Sequence, residues 1–407
     1  MKIGVVGLGY IGSVTAGVLA EAGNSVIGIE IDAKRLAGFK SGEPPIYEPG
    51  LKELIEKNHS RLEFSSDYSK LADADIIFLA VQTPTVNERI DLSYIFDAAE
   101  KANRQCKKAV LVIKSTVIPG TARELSKKIS LPIVSNPEFT REGTAVEDTR
   151  KPDRVVIGAK DSHAADLVGK IWSFTGAPLL KTTNENAELI KYASNSFLAT
   201  KISFINEIAN LCESIPGADV EIVAKGMGYD KRIAPYFLKA GIGYGGSCFP
   251  KDTSAIASFA KELQSPLSIV ESAIKVNSDR IERIVDILKA EIGKELNGKR
   301  IAVLGLAFKD DTDDIRGSQP IRLIERLLKE SAAVNAYDPR VKIKIDGITR
   351  FENLEGCIKE SDAVIVATEW GEFSNLKIMD KFVLDAKRIL NPANFNNFRA
   401  IGLSWER

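Results

Sequence analysis

The chain has 407 residues, 44% of them hydrophobic and 27% charged, with 55 basic side chains against 55 acidic ones. That length exceeds one core and calls for about two or three domains. The even charge excludes a surface-wide field for nucleic acid or an acidic membrane, so an anionic ligand needs a local site. Cys106, Cys212, Cys248 and Cys357 lie far apart with no CxxC spacing, and the only histidines are His59 and His163, so no metal site of the Cys/His kind is expected.

The opening MKIGVVGLGYIG runs into a strand-like pattern without a cleavable signal, and no stretch approaches the roughly 20 apolar residues of a membrane span, so a cytoplasmic location is expected. KIGVVG (2–7) precedes a helical pattern at 13–22. Apolar runs follow at 25–30, 75–81, 109–114, 131–135 and 154–158, separated by helix-length polar segments. This alternation predicts an α/β, doubly wound parallel sheet.

Residues 185–213 predict a long helix without Gly or Pro. Its apolar groups, among them Leu189, Ile190, Phe197, Leu198, Ile202, Phe204, Ile205 and Ile208, occupy more than one face, so it must be covered by another domain or by a second subunit. Pro216-Gly217 ends it, and a second long helix is predicted over 266–292. From 298 the alternation resumes in GKRIAVLGLAFK, AVNAYDP, SDAVIVAT and KFVLDAKRIL. The predicted organisation is two Rossmann-like lobes, 1–184 and 297–407, joined by a helical middle domain, 185–296.

Gly7, Gly9 and Gly12 of GLGYIG form GxGxxG between a strand and a helix, where backbone N–H groups and the helix dipole suit a pyrophosphate. Glu30 ends the second strand, where a carboxylate can accept from ribose hydroxyls and repel a 2′-phosphate, which favours NAD. Lys34 and Arg35 keep NADP open. Beyond the carboxyl ends of later strands fall Gln82-Thr83-Pro84-Thr85, Ser115-Thr116-Val117 and Asn136-Pro137-Glu138-Phe139, so Thr116 and Glu138 could share a crevice or simply cap turns.

The stretch GIGYGGSCFPKD sets Cys248 behind Gly243, Gly245 and Gly246. Ser247 is expected to cap a helix starting at Phe249-Pro250, and a helix N-terminus with Lys251 close by favours a thiolate. An inert buried cysteine is the alternative. A thiolate beside a nicotinamide suggests oxidation of an aldehyde through a thiohemiacetal and a thioester. Lys191 and Asn195, four apart on the long helix, could stabilise an oxyanion, or could be a solvated flank and a helix–helix contact. Asp252 could hold a water or accept its proton.

These motifs, with PIYEPGL (45–51), KSTVIPGT (114–121), NPEFTREGTA (136–145), GLAFKDDTDDIRGS (305–318), YDP (337–339) and ATEW (367–370), resemble the nucleotide-sugar dehydrogenases along almost the whole chain. NSFLATKISFINEI and FLKAGIGYGGSCF are most similar to the branch that oxidises UDP-glucose, with the GDP-mannose and UDP-N-acetylmannosamine branches as alternatives.

The resemblance implies oxidation of a sugar C6 alcohol to a carboxylate with two NAD. Cys248 then resembles the nucleophile, Lys191 and Asn195 the oxyanion-stabilising pair, Thr116 and Asp252 the pair placing a water, and Glu138 the acid/base. It implies cofactor contacts at Gly7, Gly9, Tyr10, Ile11, Gly12, Glu30, Arg35, Thr83, Pro84, Ser115, Thr116, Glu142, Lys251 and Arg316. Substrate contacts are implied at Glu138, Phe139, Thr140, Arg141, Glu142, Lys191, Asn195, Phe237, Lys239, Gly241, Tyr244, Gly245, Lys309 and Lys387, and at Arg232 toward a partner subunit's substrate. It further implies a homodimer through the central helix.

Three departures stand out, one being VQTP (81–84) where VPTP or VGTP is commoner. Arg316-Gly317-Ser318 replaces the usual RES, and Lys387 stands where an arginine is usual, which keeps charge but loses the bidentate fork. A binding protein with lost chemistry is the reading from another class, but it has no need to retain Cys248, Lys191, Asn195, Thr116, Glu138 and Asp252 together.

Overall fold

The computed structural model describes residues 1–86 and 89–404. The chain divides into two compact units, Met1–Ser194 and Asn195–Arg407.

The first unit is built on strands β1 (Lys2–Val6), β2 (Ser25–Ile29), β3 (Leu62–Ser65), β4 (Ile76–Leu79), β7 (Val110–Ile113), β8 (Ile133–Ser135), β9 (Val155–Ala159) and β10 (Leu179–Thr182), with a small hairpin of β5 (Thr85–Val86) and β6 (Arg89–Ile90) apart. The sheet order is β10-β9-β8-β7-β4-β1-β2-β3. The central strands IIFL and VLVI are buried at every position, as strands covered on both faces must be. Ile3, Val5, Ile76 and Phe78 join one core, while Val6, Ile77 and Leu79 join the core on the opposite face. Pairing is parallel except between β8 and β9, which run antiparallel. β3 and β10 were not anticipated. Both lie at sheet edges, and β10 is largely exposed.

The second unit carries six parallel strands, β11 (Arg300–Leu304), β12 (Ala333–Tyr337), β13 (Ile348–Arg350), β14 (Ala363–Val366), β15 (Ile378–Asp385) and β16 (Phe395–Ala400), in the order β13-β12-β11-β14-β15-β16. Its helices include Val220–Gly228, Phe249–Glu262 and Ser268–Ile292, the last close to the predicted 266–292. The long helix forms as expected, over Asn184–Cys212.

A buried polar network fixes the glycine loop of this unit. Arg280, 1% exposed, donates through Nε to the Gly241 carbonyl at 3.0 Å, and Asn206 Oδ1 accepts from Gly241 N at 2.8 Å. Asn277 bonds both the N–H and the carbonyl of Tyr244, and Gln319 donates to that same carbonyl. At Gly243, with φ of 112°, an added Cβ would lie 2.5 Å from Asn277 Oδ1, so a side chain there is excluded by conformation and by space.

Candidate active site

The glycine turn of the first unit fits a dinucleotide pyrophosphate. Gly12 lets the helix Tyr10–Glu21 approach β1, since an added Cβ would sit 1.8 Å from the Gly7 carbonyl oxygen, whereas at Gly9 a Cβ would meet nothing within 4 Å, which leaves open space over the turn. No side chain caps this helix, so its N-terminus is not claimed by a protein carboxylate or hydroxyl. Glu30 follows β2, accepts from Leu8 N at 3.1 Å and Asp32 N at 2.9 Å, and pairs with Arg35 at 3.1 Å. That pairing occupies Arg35 and weakens the case for a 2′-phosphate. Tyr10 donates to Glu48 of PIYEPGL, and Glu48 also accepts from Gly143 N at 2.8 Å and Ala145 N at 2.6 Å. The motif therefore joins the glycine turn to the segment that carries Glu142, a role the sequence did not reveal.

Lys191 is no solvated flank. It is 3% exposed, and its Nζ donates to Glu138 Oε1 at 2.7 Å. Glu138 Oε2 accepts from Thr140 N and Thr140 Oγ1 at 2.6 and 2.7 Å. Burial works to raise the Glu138 carboxyl, but the Lys191 ammonium and the Thr140 donors outweigh it and hold it at about 2. Glu138 is thus a carboxylate, fit to accept a proton rather than give one. Phe139 stacks under Arg154 at 3.7 Å, and Arg141 pairs with Asp148 at 2.6 Å. Thr83 Oγ1 donates to the Thr116 carbonyl and Ser115 Oγ to that of Val81, so the segments at 81–84 and 114–117 brace each other. Buried Lys114 falls to about 8 because burial disfavours its charge and Lys191 repels it, against the pull of Glu138.

In the second unit, Asn195 Nδ2 donates to Asp252 Oδ2 at 2.7 Å, and Lys251 Nζ lies 2.7 Å from Asp252 Oδ1. Asn195 is thus buried and makes the helix–helix contact anticipated above, from the long helix to the helix Phe249–Glu262, with the carboxylate of Asp252 as its acceptor. Cys248 itself occupies the N-cap of the helix Phe249–Glu262, and no side chain caps that end. Ser247, expected as the cap, instead lies with its Oγ 3.6 Å from Cys248 Sγ. Phe249 is the first helical residue and Pro250 the second, so the cap falls on Cys248 and Ser247 stands one residue outside the helix. None of the four cysteines forms a disulfide, and Cys248 alone among them is not buried.

A cavity of about 180 Å³ in this unit is lined by Phe237, Lys239, Gly241, Gly243, Glu369 and Lys387, with Ile202. Glu369 contacts Lys239 and also lies 3.4 Å from Lys387. Burial works to raise the carboxyl of Glu369, a residue sequence reasoning missed, but Lys387 and Lys239 outweigh it and hold it below the ordinary carboxylate range. Tyr244 is buried in the fixed loop. At the GLAF turn, Asp338 of YDP accepts from Leu306 N and Ala307 N at 2.7 and 3.1 Å, so these donors are already taken and the turn is a poor pyrophosphate cradle. Gly245 packs on Gly317, whose carbonyl oxygen would lie 2.4 Å from an added Cβ, so the small residue that departs from RES closes against the loop. Arg316 pairs with Asp314 at 2.6 Å, and Arg232 pairs with Asp230 while remaining 89% exposed. Lys309 is half-buried.

Among the described residues no group of three or more His, Cys, Asp or Glu is placed to hold a metal, and no helix is long and apolar enough to cross a membrane.

Residues 1–175 match the NAD binding domain of the UDP-glucose/GDP-mannose dehydrogenase family, residues 185–279 its central domain, and residues 302–392 its UDP binding domain. The chain is 44% identical over 396 residues to UDP-glucose 6-dehydrogenase YwqF of Bacillus subtilis (strain 168), covering 93% of this chain and 90% of that one. It is 41% identical over 399 residues to the UDP-glucose 6-dehydrogenase of Rhizobium meliloti (strain 1021), covering 92% and 91%. A UDP-glucose dehydrogenase structure from the hyperthermophilic archaeon Pyrobaculum islandicum aligns with a TM-score of 0.94 at 35% identity, covering 99% of this chain and 98% of that one. A UDP-D-ManNAc dehydrogenase from Pyrococcus horikoshii aligns at 0.88 and 28%, covering 99% of each. With its glycine turn in an NAD-binding lobe, its cysteine helix in the matched central domain and its lysine-lined cavity beside a UDP-binding lobe, the chain belongs to the UDP-glucose/GDP-mannose dehydrogenase family.

Proposed function

We propose that this chain oxidises the C6 alcohol of UDP-glucose to the carboxylate of UDP-glucuronate. The observation that carries the chemistry is Cys248 at an uncapped helix N-terminus, with Asp252 one turn in and bonded by Asn195. The choice of sugar is supported by the curated UDP-glucose 6-dehydrogenases that resemble the chain along more than nine-tenths of its length. NAD, when bound, would accept the hydride that C6 loses in each of the two oxidations, and a water held by Asp252 takes the hydroxyl proton released in the first.

The residues supply the rest. Cys248 Sγ adds to the C6 aldehyde, and Lys191 and Asn195 donate hydrogen bonds to the oxyanion of the thiohemiacetal. After the second oxidation C6 is a thioester carbon. A water placed by Thr116 and Asp252 attacks it, Glu138 takes a proton from that water, and the thiolate leaves. Lys239, Lys309 and Lys387 bind the diphosphate, and Phe237 with the 239–245 loop encloses the uridine. We assign Arg316 and Glu142 to the cofactor, and Arg232 to a partner subunit's substrate, the last supported by its exposure.

We assign the same domains as the sequence does, 1–184, 185–296 and 297–407, and a cytoplasmic homodimer. The dimer is supported by the central helix, where Phe197, Phe204 and Leu211 recur every seven residues and stay exposed, so one apolar stripe lacks cover among the described residues.

The test is purified protein with NAD and a panel of UDP- and GDP-sugars. Two NADH per UDP-glucose, and none from Cys248→Ser beyond the first oxidation, is the expected result. An undiminished second oxidation in that variant removes the covalent route.

A further inference from the structure

Glu188 is given no part in the reaction above. It lies on the helix Asn184–Cys212 one turn before Lys191 and is 2% exposed. Its Oε2 accepts from Gly120 N at 2.6 Å, and its Oε1 accepts from Ala122 N and Ser135 Oγ, both at 3.0 Å. The donors come from two places that matter. Gly120 and Ala122 close the segment after β7 that carries Thr116, and Ser135 ends β8, one residue before the Asn136–Glu138 run.

A carboxylate suits this position for a physical reason. It accepts at both oxygens and donates at neither, whereas an amide there would turn an N–H toward a backbone N–H. Glu188 also forms a wall of a second, small cavity of about 10 Å³, shared with Ser115, Thr116, Ser135, Pro137 and Lys191. That space is close to the least that holds one water.

We propose that Glu188 is a positioning residue for thioester hydrolysis, tying the Thr116 segment to the turn of helix that bears Lys191 and thereby fixing the seat of the attacking water. This rests on the reading above, in which Thr116 helps to place that water. Burial raises the Glu188 carboxyl to about 7 despite its three donors, with Glu185 of the same helix adding repulsion. Glu185 faces Arg123 at 3.7 Å, and Lys191 pairs with Glu138 at 2.7 Å. The accepting form therefore gives way as pH falls below about 7.

The experiment follows NADH release and covalent adduct in the full-length protein with NAD and UDP-glucose, using wild type, Glu188→Gln and Ser135→Ala. Stopped-flow absorbance gives the two oxidations, and intact mass after acid quench gives the acyl-enzyme. For Glu188→Gln we expect kcat to drop about 10²-fold, the penalty of a misplaced reactant, with KM for both substrates within about twofold and acyl-enzyme accumulating. Ser135→Ala removes one bond of three and should slow the same step about fivefold, which keeps the test decisive if Glu188→Gln does not fold. The acid limb of the wild-type kcat profile near pH 7 should vanish in Glu188→Gln. A wild type that makes no NADH from UDP-glucose overturns the functional reading and this proposal together. Two NADH from wild type, with both variants folded and hydrolysing at the wild-type rate or failing without accumulated acyl-enzyme, overturns the proposal alone.

Discussion

Lys191 Nζ and Glu138 Oε1 stand 2.7 Å apart with side chains only 4% and 7% exposed, a charge pair formed almost out of reach of water. Removing either member strands the other. Lys191→Met should therefore cost roughly 3–5 kcal/mol of stability, and the double variant Lys191→Met/Glu138→Leu should recover much of it. Activity should not recover, because the oxyanion donor and the base are both gone. Urea melts and NADH assays on the three proteins check this.

Two carboxyls shift in opposite directions and make opposite demands on pH. Glu138 falls from an ordinary 4.5 to about 2, so its contribution is present above pH 4.5 and is lost as pH falls toward 2. Glu188 rises from 4.5 to about 7, so the folded state holds its proton more tightly and stability declines between pH 4.5 and 7, then levels. Each shift corresponds to about 3 kcal/mol. Urea midpoints from pH 3 to 8 should show the decline in wild type, and Glu188→Gln should flatten it by up to about 1.4 kcal/mol per pH unit.

Glu369 occupies the two lysines that a diphosphate would want. Glu369→Gln should release Lys239 and Lys387 and tighten UDP binding by about 1 kcal/mol at low salt, with the gain fading as salt rises. Calorimetry at two ionic strengths reads both. Weaker binding in the variant would mean that the carboxylate itself holds the nucleotide.

Phe204→Asp, placed in the exposed stripe of the central helix, should turn a dimer into a monomer in sedimentation velocity and abolish the dependence of melting on protein concentration, since association stabilises only the wild type. An unchanged sedimentation coefficient would remove the helix from the interface.

Much of this architecture could be read in advance because it is written in local pattern. IIFL and VLVI read as buried parallel strands from composition alone, and GLGYIG read as a phosphate turn from its glycines and its place. The edge strands β3 and β10 escaped because they face water and lack that pattern. The β8–β9 reversal escaped because strand direction is settled by the path of the connecting segment, not by the strand residues. Glu30, Lys191 and Cys248 were visible as residue types in telling positions. Glu48, Glu188 and Glu369 were not, since what makes them matter is a set of backbone N–H groups or lysines from distant segments.

The four cysteines are unequal in a way that offers a practical handle. Burial pushes the Cys357 thiol up to about 12 and raises that of Cys212, while Cys106 is fully enclosed. An alkylating reagent at neutral pH should thus strike Cys248 first, with one equivalent sufficient to silence one chain. Loss of turnover plotted against label incorporated would then count competent molecules in any preparation, and a bound nucleotide sugar should slow the labelling.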